Sequence, residues 1–493
     1  MTDNNNSGQW KTLDKDLNRI SQFEYASQYV ARPMVGMGVA LAFIVIAALA
    51  SAVLFGQTPI SFVVVSAAAF GAYMAINIGA NDVANNMGPA VGANALTMGG
   101  AIVIAALFET AGALLAGGDV VSTISKGIID PAGFAETRVF IWAMMAALIS
   151  SALWVNLATW VGAPVSTTHS VVGGVMGAGI AAAGFVAVNW PTMGKIAASW
   201  VISPVLGGLI AAGFLAFIKA RIVYQEDKIA AAKRWVPVLI GIMAAAFGAY
   251  LSIKGLKRIV KIDLPTALFI GVVIGAIAYA VAAPLVARQA EGLENRTKSL
   301  KTLFAIPLIF SAALLSFAHG ANDVANAVGP LAAIVHAEQF GDFAAKVTIP
   351  MWVMVIGAFG ISFGLVLFGP KLIRMVGSQI TKLNPIRAYC VALSAAITVI
   401  VASWLGLPVS STHIAVGGVF GVGFYREWHM EKRQRLSSAN RPAEKRVAPE
   451  ERRRRKLVRR SHFMTIVAAW VITVPAAAVM SAVIFFLLNA IVG

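Results

Sequence analysis

Apolar residues in this chain run in unbroken stretches, with no alternation and no single helical stripe. The stretches cover residues 34–55, 60–78, 97–117, 139–161, 165–187, 196–218, 235–252, 265–287, 303–318, 348–369, 386–406, 409–425 and 463–491. About 20 mostly apolar residues carry a helix across the hydrocarbon core of a bilayer, so the pattern predicts eleven to thirteen membrane-embedded helices. The shorter stretches, and those that begin at Pro or Ser, are expected to be half-helices or re-entrant hairpins, because irregular backbone survives in a membrane only where protein or a wet cavity satisfies it. The predicted fold is an all-α integral membrane protein of about twelve transmembrane helices with re-entrant hairpins and two inverted-topology repeats.

Composition agrees with the pattern. The 493 residues are 58% hydrophobic and 12% charged, whereas a soluble domain carries roughly a quarter charged residues. A soluble enzyme, a nucleic-acid-binding domain and a disulfide framework are excluded; Cys390 has no second cysteine to pair with. Charge is concentrated in two places, with 8 charged residues in 1–33 and 19 in 426–460. Segment 1–33 is polar, carries Asp3, Asp14, Asp16 and Glu24, and has no cleavage site after the first apolar run, so it is not a signal peptide. Its Lys11, Lys15, Arg19 and Arg32 place it in the cytoplasm ahead of a true span at 34–55. The basic segment 426–460 is likewise placed in the cytoplasm. Its ordinary role is topogenic, and anionic-lipid binding is the sharper alternative. The expected location is the cytoplasmic (inner) membrane.

An internal repeat organises the chain. GANDVAN at 79–85 recurs at 320–326, GAPVSTTHSVVGGVMGAG at 162–179 recurs as GLPVSSTHIAVGGVFGVG at 406–423, and WVISP at 200–204 resembles WVITVP at 470–475. Three collinear matches imply a duplicated unit, 60–218 and 303–493, joined by a connector at 219–302 with two spans and preceded by the extra helix at 34–55. Matched halves with interrupted helices mark secondary transporters, whose substrate sits near the midplane where the repeats meet.

The motifs carry the candidate chemistry. An acid inside a membrane is costly unless it is paired, hydrogen-bonded or wet, which singles out Asp82 and Asp323. Gly79 and Gly320 are expected to let the backbone break from helix, and Pro89 and Pro330 to limit how it restarts. Asn81, Asn85, Asn322 and Asn326 add amide groups, so each copy offers oxygens to sodium or a carboxylate to a proton. An Asp–Asn clamp between helices is the plainer role. Pro164 with Ser166, Thr167, Thr168 and His169, and Pro408 with Ser410, Ser411, Thr412 and His413, read as helix starts whose hydroxyls, free amides and dipole suit an oxyanion. Simple capping of a hairpin is the alternative for these hydroxyls. Both histidines divide evenly between donating to the anion and fixing the hairpin. Glu109 in FETAGALLAG has no counterpart, since alignment of the repeats sets Ile361 there, and is divided between cation coupling and an interhelical bond. His319, where the first copy has Ile78, is read the same way.

The two GANDVAN copies, FETAGALLAG with ISKGIID downstream, FAHGANDVANAVGP, and the PVSTTH and PVSSTH pair together resemble the inorganic phosphate transporter (PiT) family, over about residues 60–493. The resemblance implies an inverted-repeat transporter that moves inorganic phosphate with sodium or protons, without a resident cofactor or enzymatic activity. It implies that Asn81, Asp82, Asn322 and Asp323 serve cation coupling, with Asp82 and Asp323 as candidate sodium ligands and the choice between sodium and protons open. It further implies that Ser166, Thr167, Thr168, Ser410, Ser411 and Thr412 line the phosphate site, with Asn85, Asn326, Glu109, His169, His319 and His413 in support. Three features depart from the family pattern. The span at 34–55 precedes its usual first helix, Ala392 stands where a glutamate is common, and Asn86 stands where Ala is common and is expected to matter little. The alternatives are a sulfate permease on the same scaffold, an intramembrane hydrolase using Ser166 with His169 or Ser410 with His413, and a passive channel. Expected partners are phosphate, the coupling cation and membrane lipid, with no nucleic acid; a homodimer is left open.

Overall fold

The computed structural model describes residues 34–55, 61–130, 133, 134, 136–161, 165–255, 262–341, 349–379, 383–438 and 460–492. Segment 1–33, Pro164 and most of the basic segment lie outside these. In chain order the helices are α1 (Met34–Leu54), α2 (Phe62–Asn81), α3 (Val83–Gly92), α4 (Met98–Ala116), α5 (Gly118–Lys126), α6 (Thr137–Val161), α7 (Thr167–Ala183) and α8 (Trp190–Ile218). They continue with α9 (Lys228–Lys254), α10 (Leu264–Gln289), α11 (Thr297–Leu303), α12 (Ala305–Phe340), α13 (Met351–Gln379), α14 (Pro385–Trp404), α15 (Ser411–Ser438) and α16 (Arg460–Val492). Eleven helices among the described residues are long and apolar enough to span a membrane. Polar caps set several starts: Ser61, Thr97, Asn189, Asp227 and Asn384 each accept a hydrogen bond from a backbone N–H in the first turn of their helix. Large apolar side chains such as Phe62, Leu107, Leu209, Phe269 and Phe486 stay on the outer surface, the arrangement expected of helices solvated by lipid.

The two halves run in opposite directions. Ser61, at the start of α2, donates to Glu338 Oε1 near the end of α12 at 2.8 Å, so these equivalent helices begin at opposite ends of the bundle. In the first half, Asp130 N donates to Ala187 O at 2.7 Å and Asn189 N to Ile128 O at 2.9 Å. The chain after α7 is thereby fastened beside the segment that leads into α6. Helices α6 and α7 therefore form a hairpin that enters and leaves on one side, with its tip inside. Helix α8 then crosses to the other end, where Lys219 lies over the Tyr425 ring of α15, and where Arg387 of α14 interacts electrostatically with Arg426 of α15. The α14–α15 hairpin thus opens on the side opposite to α6–α7.

Helix crossings repeat this exchange. An added Cβ on Gly79 of α2 would meet Ile361 O of α13 at 1.8 Å, and one on Gly320 of α12 would meet Glu109 O of α4 at 2.2 Å. Each half's first helix therefore crosses the other half's second helix with backbones nearly touching, which only a residue without a side chain permits.

These contacts correct the expectation of broken helices. Asp82 between α2 and α3 keeps helical dihedrals, φ −87° and ψ −29°, and its N–H donates to Ile78 O at 2.9 Å. Helix α12 runs through Gly320 and Pro330 for 36 residues, so the short apolar run at 303–318 belongs to a full span, not to a half-helix. The glycines serve close packing, and the prolines sit inside helices where neighbours compensate for the missing donor.

Candidate functional site

Both hairpin tips end on the Asn-Asp segments. Helix α7 begins where Ser166 Oγ accepts from His169 N at 3.1 Å, and α15 where Ser410 Oγ accepts from His413 N at 3.3 Å. The first hydroxyl of each motif is therefore a helix cap. That leaves the second and third hydroxyls facing the centre. Thr167 Oγ1 donates to Asp82 Oδ2 at 2.6 Å and Thr412 Oγ1 donates to Asp82 Oδ1 at 3.3 Å. Both hairpins thus meet one carboxylate. Ser411 Oγ, equivalent to Thr167 Oγ1, lies 3.5 Å from Asp323 Oδ2.

The asparagines join the halves crosswise. Asn85 Nδ2 donates to Thr412 Oγ1 at 2.8 Å, and its equivalent Asn326 donates to Thr168 Oγ1 at 3.1 Å and Thr167 Oγ1 at 3.2 Å. Asn81 Nδ2 donates to Thr159 Oγ1 at 2.9 Å, and its equivalent Asn322 donates to Ser403 Oγ at 3.0 Å and Leu407 O at 3.1 Å. Asn322 Oδ1 also accepts from Val409 N at 3.2 Å, so its amide fixes the second tip from both ends. Thr159 and Ser403 are polar residues missed in the sequence, although the spacing between them is the one that separates the two hydroxyl motifs.

A second line of polar groups has no mirror image. His319 places Nε2 2.9 Å from Asp323 Oδ2 and Nδ1 3.1 Å from Glu109 Oε1, and Asn86 Nδ2 donates to the same Glu109 oxygen at 2.9 Å. Asn86, expected from the sequence to matter little, is thus hydrogen-bonded to the buried Glu109. Glu109 and His319, each read alone as evenly divided, are one connected unit. His169 and His413 lie edge to face with centroids 4.4 Å apart, and Trp200 packs on His169 at 3.9 Å. They back the two tips. Ala392 is fully buried in apolar packing on α14.

The side chains of both Asn-Asp segments, both hydroxyl motifs, Glu109 and His319 are at most 4% exposed, so the centre of the cluster is closed to both sides; Thr159 and Trp200 at its edge are half-buried. Asp82, His319 and Asp323 can turn one ligand atom each to within 4.8 Å of one another. Asn81 Oδ1, Asp323 Oδ1 and Asn326 Oδ1 accept no hydrogen bond from the described residues. Uncommitted carboxylate and amide oxygens in a dry interior are the donor set of a hard monovalent or divalent cation, and four hydroxyls on two helix starts are the donor set of a tetrahedral oxyanion.

Residues 78–481 match the phosphate transporter family. A Helicobacter pylori protein provisionally named a phosphate permease is 51% identical over 85% of this chain and 79% of its own length. A Pyrococcus abyssi protein with the same provisional name is 37% identical over 72% of this chain and 87% of its own. A solved structure described as the sodium-dependent phosphate transporter superposes with a TM-score of 0.79 at 34% identity, covering 88% of this chain and all of the other.

Proposed function

The chain belongs to the phosphate transporter family, and from that premise we propose that it imports inorganic phosphate across the cytoplasmic membrane, coupled to sodium, by alternating access. It is a multi-pass membrane transporter and not an enzyme. The observation that carries the reading is the convergence of both hairpin tips on Asp82, through Thr167 at 2.6 Å and Thr412 at 3.3 Å. In this closed arrangement the carboxylate holds the hydroxyl hydrogens that an anion would need. A cation at Asp82 and Asp323 competes for the carboxylate lone pairs and cancels their repulsion of phosphate, freeing Thr167, Ser411 and Thr412 to donate to its oxygens, while Thr168 Oγ1 keeps donating to Val409 O at 3.0 Å. Cation and anion therefore stabilise each other's binding, which is the linkage that symport requires. Two antiparallel halves meeting at one closed site supply the two alternative openings. The end that bears Lys219, Arg221, Arg387 and Arg426 faces the cytoplasm by the excess of basic residues.

The test is uptake of labelled phosphate into proteoliposomes under an inward sodium gradient, under an inward proton gradient, and with excess unlabelled sulfate. Concentrative uptake driven by sodium and insensitive to sulfate is expected. Accumulation of sulfate in place of phosphate, or downhill flux only, would overturn the reading.

A further inference from the structure

Away from the transport site, α8 and α15 leave an open, almost wholly apolar groove of about 730 Å³ on the outer surface. Its walls include Val205, Leu209, Ala212, Phe420 and Phe424, and its floor is the crossing of Gly208 and Gly421. The groove runs from Trp200 to Ala212 on one helix and from Val416 to Trp428 on the other. At 1.5 Å per residue that is roughly 18 Å, close to the half-thickness of about 15 Å of the hydrocarbon core. Its length is therefore about that of one acyl chain in a single leaflet.

The two ends differ in chemistry. At the outer end α8 passes into a π-helical turn, Lys219–Val223, and Lys219 Nζ lies 4.9 Å from the Tyr425 ring centroid. Tyr425 and Trp428 pack together there, and the Tyr224 hydroxyl is 2.9 Å from His429 Nε2. Arg221 lies over Trp235 at 5.8 Å, Arg426 follows Tyr425 and Lys228 follows at the start of α9, against the acids Glu226, Asp227 and Glu427. This is an interfacial aromatic belt with an excess of positive charge. At the inner end Trp200 Nε1 donates to Pro408 O at 3.1 Å, and its ring packs on His169. Whatever fills the groove touches the residue that contacts both hairpin tips.

We propose that this groove is a specific site for an anionic phospholipid of the cytoplasmic leaflet, with one acyl chain between α8 and α15 and its phosphodiester at Lys219 and Arg221. The charge fits an anionic headgroup, the length fits one chain, and the apolar floor offers a free phosphate ion nothing. The bound chain packs against Trp200, which contacts both tips. The site goes beyond the transport reading and does not depend on the identity of the cargo.

The experiment is native mass spectrometry of the full chain released from nanodiscs of phosphatidylglycerol and phosphatidylethanolamine in equal amounts. It compares the wild type with Lys219→Gln/Arg221→Gln and with the groove-filling Ala212→Trp. The wild type is expected to retain one phosphatidylglycerol with about 25-fold preference, Lys219 and Arg221 near an anionic lipid each contributing roughly fivefold. The charge variant should lose the preference with an unchanged unfolding midpoint in detergent, and Ala212→Trp should lose the lipid itself. Equal retention of both lipids by the wild type, or undiminished preference in the charge variant, would overturn the proposal. So would disulfide-linked dimers of Leu209→Cys formed in vesicles, which would make a second copy of the chain the occupant.

Discussion

Gly320→Ala tests whether the glycines of the Asn-Asp segments serve a crossing or a break. The new Cβ would meet Glu109 O at 2.2 Å, with Glu109 C and Cα at 2.8 Å. These are backbone atoms, so no side-chain rotation relieves the contact. Restoring the 3.4 Å of ordinary contact from 2.2 Å moves α12 away from α4 by about 1.2 Å. Overpacking of this kind costs about 1–3 kcal/mol, against a gain of up to about 1 kcal/mol in helix propensity, so a net loss of about 1–2 kcal/mol is expected. The functional effect exceeds the structural one. The same displacement parts the His319 ring from Glu109, 3.1 Å away at its nearest nitrogen, and a polar pairing with a carboxylate is worth about 1.5–3 kcal/mol. Apparent sodium affinity in proteoliposome uptake should therefore fall by at least about tenfold, while the unfolding midpoint in detergent drops by a few degrees. Gly99→Ala, where nothing lies within 4 Å, is the control and should leave both unchanged. If Gly320→Ala matches the wild type in stability and sodium dependence, the backbone contact does not exist in the membrane and the crossing argument fails.

Other substitutions probe the site itself. Asp82→Asn and Asp323→Asn should abolish concentrative uptake while the protein still elutes as a folded species on size exclusion; normal accumulation in either would remove that carboxylate from cation coupling. Thr167→Ala and Ser411→Ala should each raise the KM for phosphate, Thr167→Ala more, because Thr167 lies 2.6 Å from Asp82 whereas Ser411 lies 3.5 Å from Asp323. An unchanged KM would return both hydroxyls to hairpin geometry. Asn86→Ala removes the 2.9 Å donor to Glu109 and should raise the sodium requirement several-fold, by the worth of about one hydrogen bond, without altering the KM for phosphate. Equal sodium dependence would confine Asn86 to packing.

Much of the site was legible because duplication supplies its own control. Asn85 and Asn326, or Thr168 and Thr412, sit at matched offsets, and the structure joins them crosswise as matched residues should be joined. The helix starts were readable from Ser166 and Ser410 for a local reason, since a cap depends only on its own first turn. Gly79 and Gly320 were misread because a glycine that breaks a helix and one that admits another helix look alike in one dimension. Only the backbone opposite, Ile361 O or Glu109 O, decides between them. Thr159 and Ser403 were missed because single hydroxyls in apolar runs usually bond their own preceding turn, as Thr159 does to Val155 O in addition to accepting from Asn81.

The unpaired features were the hardest to read, and they are the ones that make the two halves unequal. Glu109 faces Ile361 in the alignment, His319 faces Ile78, and Asn86 faces Ala327, so each taken alone lacks support from symmetry. In space, two residues from the first half and one from the second make a single line that ends on Asp323. Asp82 instead ends on two hydroxyls. A backbone related by approximate two-fold symmetry thus holds carboxylates with different partners, one bonded to an imidazole and the other to neutral donors. The two are not expected to bind a cation with equal affinity, because the imidazole lies 2.9 Å from Asp323 Oδ2 and competes with the cation there, whereas hydroxyls are what hydrogen-bond Asp82. On the proposed coupling to a cation, ion binding is expected to be ordered, with Asp82 filling first. Removing the competitor by His319→Ile, the residue that the first half carries, should bring the two sites closer in affinity and make the dependence of uptake on sodium more sigmoidal, because two sites that fill over the same concentration range both limit uptake; an unchanged curve would mean that the asymmetric line has no part in coupling.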